Sequence, residues 1–280
     1  MEILKKENGI FTFQKDKNNF INFCPARGGL ITKWVSNNRQ ILYFDEERFK
    51  DQSKSIRGGI PILFPICGSF ENHSLFGENC EDLMQHGFAR DQNWNFKFNQ
   101  TKNILCLTLN DNAITRKYYP FIFEIKIELT LDAETLIFEI EVFNKSQSIM
   151  PMNFGLHPYF NISDLNKIEF IEYPINCQNQ KNNSIERTKD LLKNISQGID
   201  FLMYSSGKTI FKDFGLKRKI TLIHPFPFDI SVIWSDPPRK MICMEPWTSP
   251  RNSLKNGIRK IEILPNSSQK LLTLIKIDKI

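Results

Sequence analysis

The sequence lacks the markers of several large protein classes. Its six cysteines form no C-x-x-C pair and show no regular spacing, which disfavours a zinc ribbon or a dense disulfide scaffold. No apolar run reaches the roughly 18 residues that a membrane-spanning helix needs. The first eight residues carry charges and contain neither the apolar core nor the small-residue cleavage site of a secretion signal. We therefore expect a cytoplasmic protein with no membrane partner.

Nucleic-acid and nucleotide signatures are also missing. The net charge of +6 is modest and scattered, and the densest basic cluster, residues 217–219, is what a solvated strand end would carry. No glycine-rich phosphate loop and no G-x-S-x-G nucleophile motif is present. We expect neither a nucleic-acid partner nor a covalent serine intermediate. The mild positive balance is compatible with an anionic small-molecule substrate.

Strict alternation of apolar and polar residues is the dominant pattern. It runs through residues 121–131 and 136–142, with a short polar connection between them, and predicts an antiparallel hairpin with one buried face. Helical patterning is limited to short stretches near 46–51 and 186–195. Further predicted strands cover residues 10–13, 20–23, 31–35, 41–44, 94–98, 104–109, 167–173, 220–224, 228–234, 240–244, 260–264 and 271–277.

Many strands without a strand–helix–strand rhythm predict an all-β fold of stacked antiparallel sheets. The chain contains no repeat, no low-complexity linker and no break in composition. Its length allows a large core within one unit. We therefore expect a single domain, residues 1–280, built as a large antiparallel β-sandwich.

Four loop-like stretches depart from the strand pattern and hold the unusual chemistry. They read R-G-G-I-P at 57–61, H-G-F-A-R at 86–90, N-F-G-L-H-P-Y-F at 153–160 and M-E-P-W-T at 244–248. Glycines let backbone approach a ligand closely, and prolines stiffen the segments. Together the stretches supply two histidines, two arginines, a glutamate and an indole, namely His86, His157, Arg57, Arg90, Glu245 and Trp247.

These side chains suit proton transfer to a small polar substrate. An imidazole and a carboxylate at opposing strand ends can act as an acid–base pair. Arginines offer forked donors to hydroxyls, carboxylates or phosphates, and aromatic faces suit the apolar face of a sugar ring. A metal site at His86, His157 and Glu245 is the alternative, but no H-x-H or H-E-x-x-H spacing supports it. We expect neither a metal nor a cofactor.

The order of the four motifs resembles the aldose 1-epimerase (galactose mutarotase-like) superfamily, near the glucose-6-phosphate 1-epimerases. That resemblance implies the mutarotase-like β-sandwich, called a supersandwich, and interconversion of the α and β anomers of an aldose or hexose phosphate. It further implies that His157 protonates the ring oxygen, that Glu245 takes the proton of the C1 hydroxyl, and that Arg57 and His86 position the substrate. The segment 198–202 is similar to one whose aspartate binds sugar hydroxyls, which points to Asp200.

Several alternatives stay open at this stage. Arg57 and Arg90 would suit either a phosphate or a neutral sugar, and the residues after Arg57 and Glu245 depart from the hexose-phosphate pattern. Asp229 is a weaker candidate, read as a charge on a wet strand face. A non-catalytic carbohydrate-binding protein on the same fold is the second hypothesis, with Trp247 and Phe160 stacking on the sugar. The sequence identifies neither the sugar nor the oligomeric state.

Overall fold

Antiparallel strands make up most of the chain in a computed structural model, which describes residues 1–6, 9–70, 75–77 and 80–280. The strands are β1 (Glu2–Lys5), β2 (Phe11–Asp16), β3 (Asn19–Cys24), β4 (Leu30–Ser36), β5 (Arg39–Gln40), β6 (Ile62–Leu63), β7 (Asn95–Asn99), β8 (Ile104–Asn110), β9 (Phe123–Leu131), β10 (Thr135–Asn144), β11 (Met150–Met152), β12 (Gly155–Leu156), β13 (Tyr159–Asn161), β14 (Ile168–Ile171), β15 (Asn176–Asn179), β16 (Ile185–Arg187), β17 (Asp200–Tyr204), β18 (Lys208–Asp213), β19 (Arg218–Ile223), β20 (Ile230–Trp234), β21 (Met241–Trp247), β22 (Ile261–Ile263) and β23 (Ser268–Lys279).

Helices are short and few in the same part of the chain. The α-helices are α1 (Glu46–Lys50), α2 (Thr115–Tyr118), α3 (Thr188–Lys193) and α4 (Ser253–Asn256), and single 3-10 turns cover Ala89–Asp91, Leu165–Lys167 and Ile195–Gln197. The side chain of Asp45 caps α1 by accepting a hydrogen bond from the Arg48 N–H at 3.0 Å. Because none of these helices is long, they do not form a layer of their own.

The strands form three large sheets. The first is β1-β2-β3-β4-β5, in chain order. The second has the order β14-β18-β19-β23-β10-β9-β8-β7, and the third has the order β16-β15-β17-β20-β21-β12-β6, with β13 added against β21. Strands β11 and β22 form a separate pair. The non-consecutive neighbours show that distant parts of the chain meet within each large sheet.

One buried apolar cluster is shared by all three sheets. Residues of β9 alternate between buried and half-buried along its whole length, as the period-two pattern predicts. Its inward residues, such as Ile127, join Trp34 from the first sheet and Met244 from the third in this cluster. The predicted all-β, antiparallel sandwich is therefore confirmed.

The third sheet is buried on both faces along β21. Ile242 and Met244 point into the large core, whereas Cys243, Glu245 and Trp247 alternate with them on the opposite face. All seven residues of this strand are buried. A buried outer face means that other segments cover it, and those segments carry the remaining motifs.

Three secondary-structure predictions need correction. Residues 41–44 do not form a strand, because Ile41 bonds to Trp34 while Tyr43 bonds to Tyr159, which leaves only isolated bridges. The third and fourth motifs are not simply loops, since β12 and part of β13 lie in the third and β21 continues through Trp247 in the fourth. The helix predicted near 186–195 is shorter, because β16 occupies its first residues.

The described helices are all far too short to span a bilayer, the longest having six residues.

Candidate active site

All seven residues predicted to form the site line one cleft of about 210 Å³ on the outer face of the third sheet. Six further residues complete its wall. The lining comprises Ser55, Arg57, Gln85, His86, Arg90, His157, Tyr159, Asp200, Val232, Trp234, Glu245, Trp247 and Arg251. Segments separated by nearly two hundred positions in the chain therefore meet at one place.

Strand register sets the floor of the cleft. Across β17, β20 and β21, Asp200 lies beside Trp234, which lies beside Cys243. Tyr159 of β13 follows Cys243 on the other side. Glu245 is two residues further along β21, on the same face as Cys243. The sheet thus fixes the spacing of these side chains through backbone hydrogen bonds.

The carboxylate of Glu245 is held between two partners. Its Oε1 atom lies 3.4 Å from Nε2 of His157, and its Oε2 atom accepts a hydrogen bond from the indole N–H of Trp247 at 3.1 Å. Glu245 is only 2% exposed. An imidazole and a carboxylate thus face each other at one end of a cleft.

Burial opposes charge on both members of this pair. It lowers the pKa of His157 to about 3, with the nearby cations Arg90 and Arg57 adding to the effect. It raises the pKa of Glu245 well above its usual value, and the charge of Asp200 acts in the same direction. The pair therefore favours a neutral imidazole beside a neutral carboxyl group when the cleft is empty.

Three neighbouring residues contact His157. Its backbone N–H donates to the Pro61 carbonyl at 3.0 Å. The Tyr159 ring stacks on the imidazole at 4.6 Å with the planes only 7° apart, and Trp234 approaches edge-on at 6.0 Å. No described residue hydrogen-bonds to Nδ1 of His157, although this atom is buried.

His86 has a defined tautomer. It adopts a left-handed backbone conformation with φ of 68°, and its N–H donates to the Gly68 carbonyl at 2.8 Å. The N–H of Gly68 in turn donates to Nδ1 of His86 at 3.0 Å, so this nitrogen carries no proton. Burial, followed by the charge of His157, lowers the pKa of His86 well below its usual value. The proton of the neutral ring is therefore on Nε2.

Three arginines give the cleft a positive character. Arg57 stacks over Trp234 at 5.4 Å, and Arg90 donates to the Gln85 carbonyl at 2.8 Å. Arg251 pairs with Asp200 at 3.1 Å. The Asp200 carboxylate offsets Arg251, and Asp91, outside the cleft lining, lies 3.7 Å from Arg90. The remaining positive charge favours an anion or a polyhydroxyl compound.

Comparison with known proteins assigns the chain to a family. A family model described as Aldose 1-epimerase matches residues 11–270. The chain belongs to the aldose 1-epimerase family. Protein LacX, plasmid, of Lactococcus lactis subsp. lactis is 25% identical over 231 residues, which cover 71% of this chain and 77% of LacX. The family resemblance read from the sequence is confirmed.

Three further similarities bear on the family assignment and the fold. A Cenchrus ciliaris protein named "Putative glucose-6-phosphate 1-epimerase" is 28% identical over 153 residues, covering 50% of this chain and 44% of that protein. The crystal structure of the Slr1438 protein from Synechocystis sp. PCC 6803 superposes with a TM-score of 0.91 at 31% identity, covering 100% of this chain and 99% of that chain. The crystal structure of a galactose mutarotase-like protein from Clostridium acetobutylicum superposes with a TM-score of 0.75 at 19% identity, covering 97% of this chain and 95% of that chain. The expected mutarotase-like fold is therefore confirmed.

Two residues considered from the sequence lie away from the cleft of this aldose 1-epimerase family member. Phe160 is fully buried and packs against Phe211 in the core, so the prediction that it stacks on a sugar is wrong. Its strand alternation explains this, because the neighbouring Tyr159 takes the cleft side. Asp229 forms an ion pair with Arg259 and does not line the cleft.

Sequence reasoning missed all six further lining residues of the cleft in this family member, and three of them, Tyr159, Trp234 and Arg251, offer an aromatic face or a charge to a ligand. Tyr159 lies two residues after His157 in a motif already singled out, and strand periodicity would have placed it on the same side. Arg251 follows Glu245 by six residues, in the stretch that departs from the hexose-phosphate pattern. Trp234 ends a predicted strand and carried no local signal, because only register with β21 brings it to the cleft.

The alternative considered from the sequence, a metal site at His86, His157 and Glu245, is not the group of ligand atoms that lie together. Among the described residues, the group whose ligand atoms lie within 4.8 Å of one another is His157, Cys243 and Glu245, without His86. A larger groove of about 750 Å³ lies elsewhere, beside β3, β4 and α1. It contains no histidine, so volume alone does not mark the reactive site. The absence of a cofactor stays a prediction.

Proposed function

We propose that the protein is a cofactor-independent 1-epimerase that interconverts the α and β anomers of an aldose or hexose phosphate. The supporting observation is the 3.4 Å separation of His157 Nε2 and Glu245 Oε1 in the lining of one cleft. Acid–base catalysis needs two groups that can exchange protons with O1 and O5 of one sugar ring. This pair supplies both groups without a nucleophile.

The proton transfers balance over the two residues. Glu245 as carboxylate takes the proton of the C1 hydroxyl, and His157 as imidazolium gives a proton to O5. The C1–O5 bond breaks, and the products are an open-chain aldehyde, a neutral carboxyl group and a neutral imidazole. Rotation about the C1–C2 bond exposes the other face of the carbonyl, and the same transfers in reverse close the ring.

Burial assists the open-chain state. The neutral carboxyl and neutral imidazole that accompany the aldehyde are the forms that desolvation favours at Glu245 and His157. The ion pair that accompanies the closed ring is less favoured in a dry cleft. The site thus lowers the cost of opening the ring and does not merely bind the closed sugar.

The surrounding residues orient the sugar. His86 offers its Nε2 proton as a hydrogen-bond donor and stays neutral at physiological pH. The carboxylate of Asp200 accepts hydrogen bonds from sugar hydroxyls. Trp234 offers the aromatic wall, because Trp247 is only 1% exposed and uses its N–H to hold Glu245.

A hexose 6-phosphate is the preferred substrate class within this proposal. Arg57, Arg90 and Arg251 all line the cleft, and only Arg251 is paired with a carboxylate that also lines it. The name of the Cenchrus ciliaris relative points in the same direction. Converging arginines suit a phosphate because each can give two parallel hydrogen bonds.

Anomer exchange tests the proposed reaction. Freshly dissolved α-anomers of several hexoses and hexose 6-phosphates are followed by NMR with wild type, Glu245→Gln, His157→Ala and the surface control Glu139→Gln. We expect both cleft variants to lose about 10²- to 10⁴-fold in rate, the usual contribution of general acid–base catalysis. Glu139 is on an exposed strand face, so its variant should match wild type. Full rates in both cleft variants would refute the residue roles.

A second comparison tests the phosphate preference. Arg57→Gln should reduce kcat/KM for a hexose 6-phosphate about 10- to 100-fold more than for the neutral hexose, since hydrogen bonds to charged groups contribute roughly 1.5–3 kcal/mol. Arg39→Gln, a change at an exposed arginine of β5, is the matched control. Equal losses for both sugars would show that Arg57 does not recognise phosphate.

The carbohydrate-binding hypothesis has a separate outcome. A sugar that raises Tm with the logarithm of its concentration, while no sugar shows exchange above buffer, would identify a binding protein on this fold. The acid–base pair in the cleft favours the enzyme. Thermal shift and exchange measured on the same samples decide between the two.

A further inference from the structure

Cys243 lies next to the proposed acid–base pair and has no role in the proposed epimerase reaction. It precedes Glu245 by two residues on the same face of β21, and its strand neighbours on that face are Tyr159 and Trp234. Its thiol is fully buried and packs with Tyr159 and Met241. A sulfur ligand, a nitrogen ligand and an oxygen ligand thus lie within 4.8 Å of one another, from Cys243, His157 and Glu245.

We propose that Cys243, His157 and Glu245 form a Zn²⁺ site that overlaps the acid–base pair, so that zinc blocks the cleft. The proposed zinc binding depends only on these three residues and not on the epimerase function. The inhibitory consequence rests on the proposed epimerase function. The site would take zinc as a reversible inhibitor and not as a resident cofactor.

Distances within the group suit a tetrahedral ion. Zinc bonds of about 2.0–2.3 Å place two ligand atoms of a tetrahedron roughly 3.6 Å apart. The 3.4 Å between His157 Nε2 and Glu245 Oε1 already matches that spacing. The remaining separations, at most 4.8 Å, close with side-chain shifts of about 1 Å on a rigid strand.

Charge balance favours the bound state. A thiolate and a carboxylate carry two negative charges, which one Zn²⁺ ion cancels, and the imidazole binds as a neutral ligand. A net-neutral assembly avoids the cost of an unpaired charge in a buried place. Binding displaces the thiol proton of Cys243 and any proton on Glu245, so affinity should rise with pH.

The ion can enter from the cleft. His157 and Glu245 both line it, and a water or a sugar hydroxyl there supplies the fourth ligand. Nδ1 of His157 has no partner among the described residues, so a rotation of this ring breaks no hydrogen bond at that atom. Sulfur and nitrogen ligands favour zinc over magnesium or calcium, which prefer oxygen.

Cobalt spectroscopy tests the site without any assay of activity. The reduced, chelator-treated full chain is titrated with Co²⁺, which reports thiolate ligation by a near-ultraviolet charge-transfer band. We expect this band to saturate at one Co²⁺ per chain and to disappear when Zn²⁺ is added. Cobalt binding with no thiolate band, or no binding at all, would overturn the proposal.

Matched cysteine variants assign the ligand. Cys243→Ser should weaken Zn²⁺ binding at least about 100-fold, because even outer-shell partners of a metal cost 10- to 100-fold when removed. Cys67→Ser is the control, since Cys67 is equally buried beside Trp247 and does not belong to the ligand group. Equal zinc affinity in the two variants would refute the assignment. If Cys243→Ser does not fold, the cobalt band of the wild-type protein still shows whether a thiolate binds the metal.

Inhibition is measured last and separately. With an active sugar, Zn²⁺ should slow anomer exchange, a chelator should restore it, and Cys243→Ser should resist zinc relative to its own metal-free rate. If no sugar is turned over but the cobalt band forms, the epimerase function fails and the metal site stands. If exchange is fast and zinc at saturation does not slow it, the overlap with the acid–base pair is wrong.

Discussion

The indole N–H of Trp247 donates a hydrogen bond to Oε2 of Glu245 at 3.1 Å. The two residues lie on the same face of β21, two positions apart, and both are almost fully buried. One carboxylate oxygen is thereby fixed, which leaves Oε1 directed at His157. This bond also lowers the pKa of Glu245, against the larger effect of burial, which raises it.

Trp247→Phe removes this hydrogen bond and keeps most of the ring. We expect kcat for anomer exchange to fall about 10- to 100-fold, because a hydrogen bond to a charged group contributes roughly 1.5–3 kcal/mol. The pKa of Glu245 should rise further, so the acidic limb of the pH–rate profile should move to higher pH. NMR exchange rates across the pH range measure both effects.

Trp34→Phe is the matched control for that prediction. Trp34 is as buried as Trp247 but lies in β4 of the first sheet, within the large core. Its variant should leave the pH–rate profile unchanged. A Trp247→Phe profile identical to that of wild type would show that the indole does not control Glu245.

The sequence predicted which residues line the cleft better than it predicted which strands pair. Motif order brought out His157 and Glu245, and alternation in 121–131 predicted β9 with its buried face. These features are local, because a side-chain period or a rare residue pair is visible within ten positions. No local sequence pattern predicts that Trp234 lies beside Cys243, because the two residues are brought together only by the register of β20 and β21.

Strand alternation also explains the wrong prediction for Phe160. Adjacent aromatic residues in one strand must face opposite sides, so only one of Tyr159 and Phe160 can reach the cleft. The sequence does not say which, because both faces of the third sheet are buried at this point. Arg251 was missed for a different reason, since its role depends on an ion pair with Asp200, 51 positions earlier.

The tautomer of His86 gives a second prediction. Because the Gly68 N–H donates to Nδ1, the neutral ring must carry its proton on Nε2. Nitrogen-15 NMR of the imidazole should show a protonated Nε2 and an unprotonated Nδ1 at pH 7. The signal should not titrate near pH 6.5, since burial lowers the pKa. A proton on Nδ1, or titration near 6.5, would contradict the hydrogen bond to Gly68.

Gly87 brings two motif segments into contact, which gives a third prediction. It has φ of 70°, and a Cβ atom there would lie 2.1 Å from the Phe64 carbonyl oxygen. Gly87→Ala should reduce the free energy of unfolding by more than about 3 kcal/mol, above the usual strain of a positive φ alone. Anomer exchange should also slow, because the backbone next to His86 must move.

Gly257→Ala separates clash from conformational strain. Gly257 has a similar φ of 77°, but a Cβ atom there would meet nothing within 4 Å. Its variant should lose only about 1–2 kcal/mol, the cost of a left-handed conformation. Urea unfolding of both variants makes the comparison. Equal losses would show that the approach of Gly87 to Phe64 carries no extra cost.

His224 belongs to a buried polar network and does not line the cleft. Its Nδ1 atom lies 2.6 Å from the Phe228 carbonyl oxygen, so this nitrogen carries the proton. The hydroxyl oxygens of Ser205, Thr209 and Ser231 lie 3.1–3.4 Å from Nε2, whose lone pair accepts a hydrogen bond from this hydroxyl cluster. Burial lowers the pKa of His224 to about 4.

Acid should therefore destabilise the fold through this residue. The unfolded chain binds a proton at His224 near pH 6.5, whereas the folded chain resists it down to about pH 4. Its stabilising contribution is complete above pH 6.5 and is lost as the pH falls to 4, a change on the order of 3 kcal/mol.

His224→Asn keeps a donor for the Phe228 carbonyl but cannot titrate. Urea unfolding from pH 7 to 4 should show that the free energy of unfolding falls by about 3 kcal/mol less in this variant than in wild type. The contributions of His86 and His157 are the same in both proteins and cancel in the comparison. Identical declines would mean that His224 is not the titrating group.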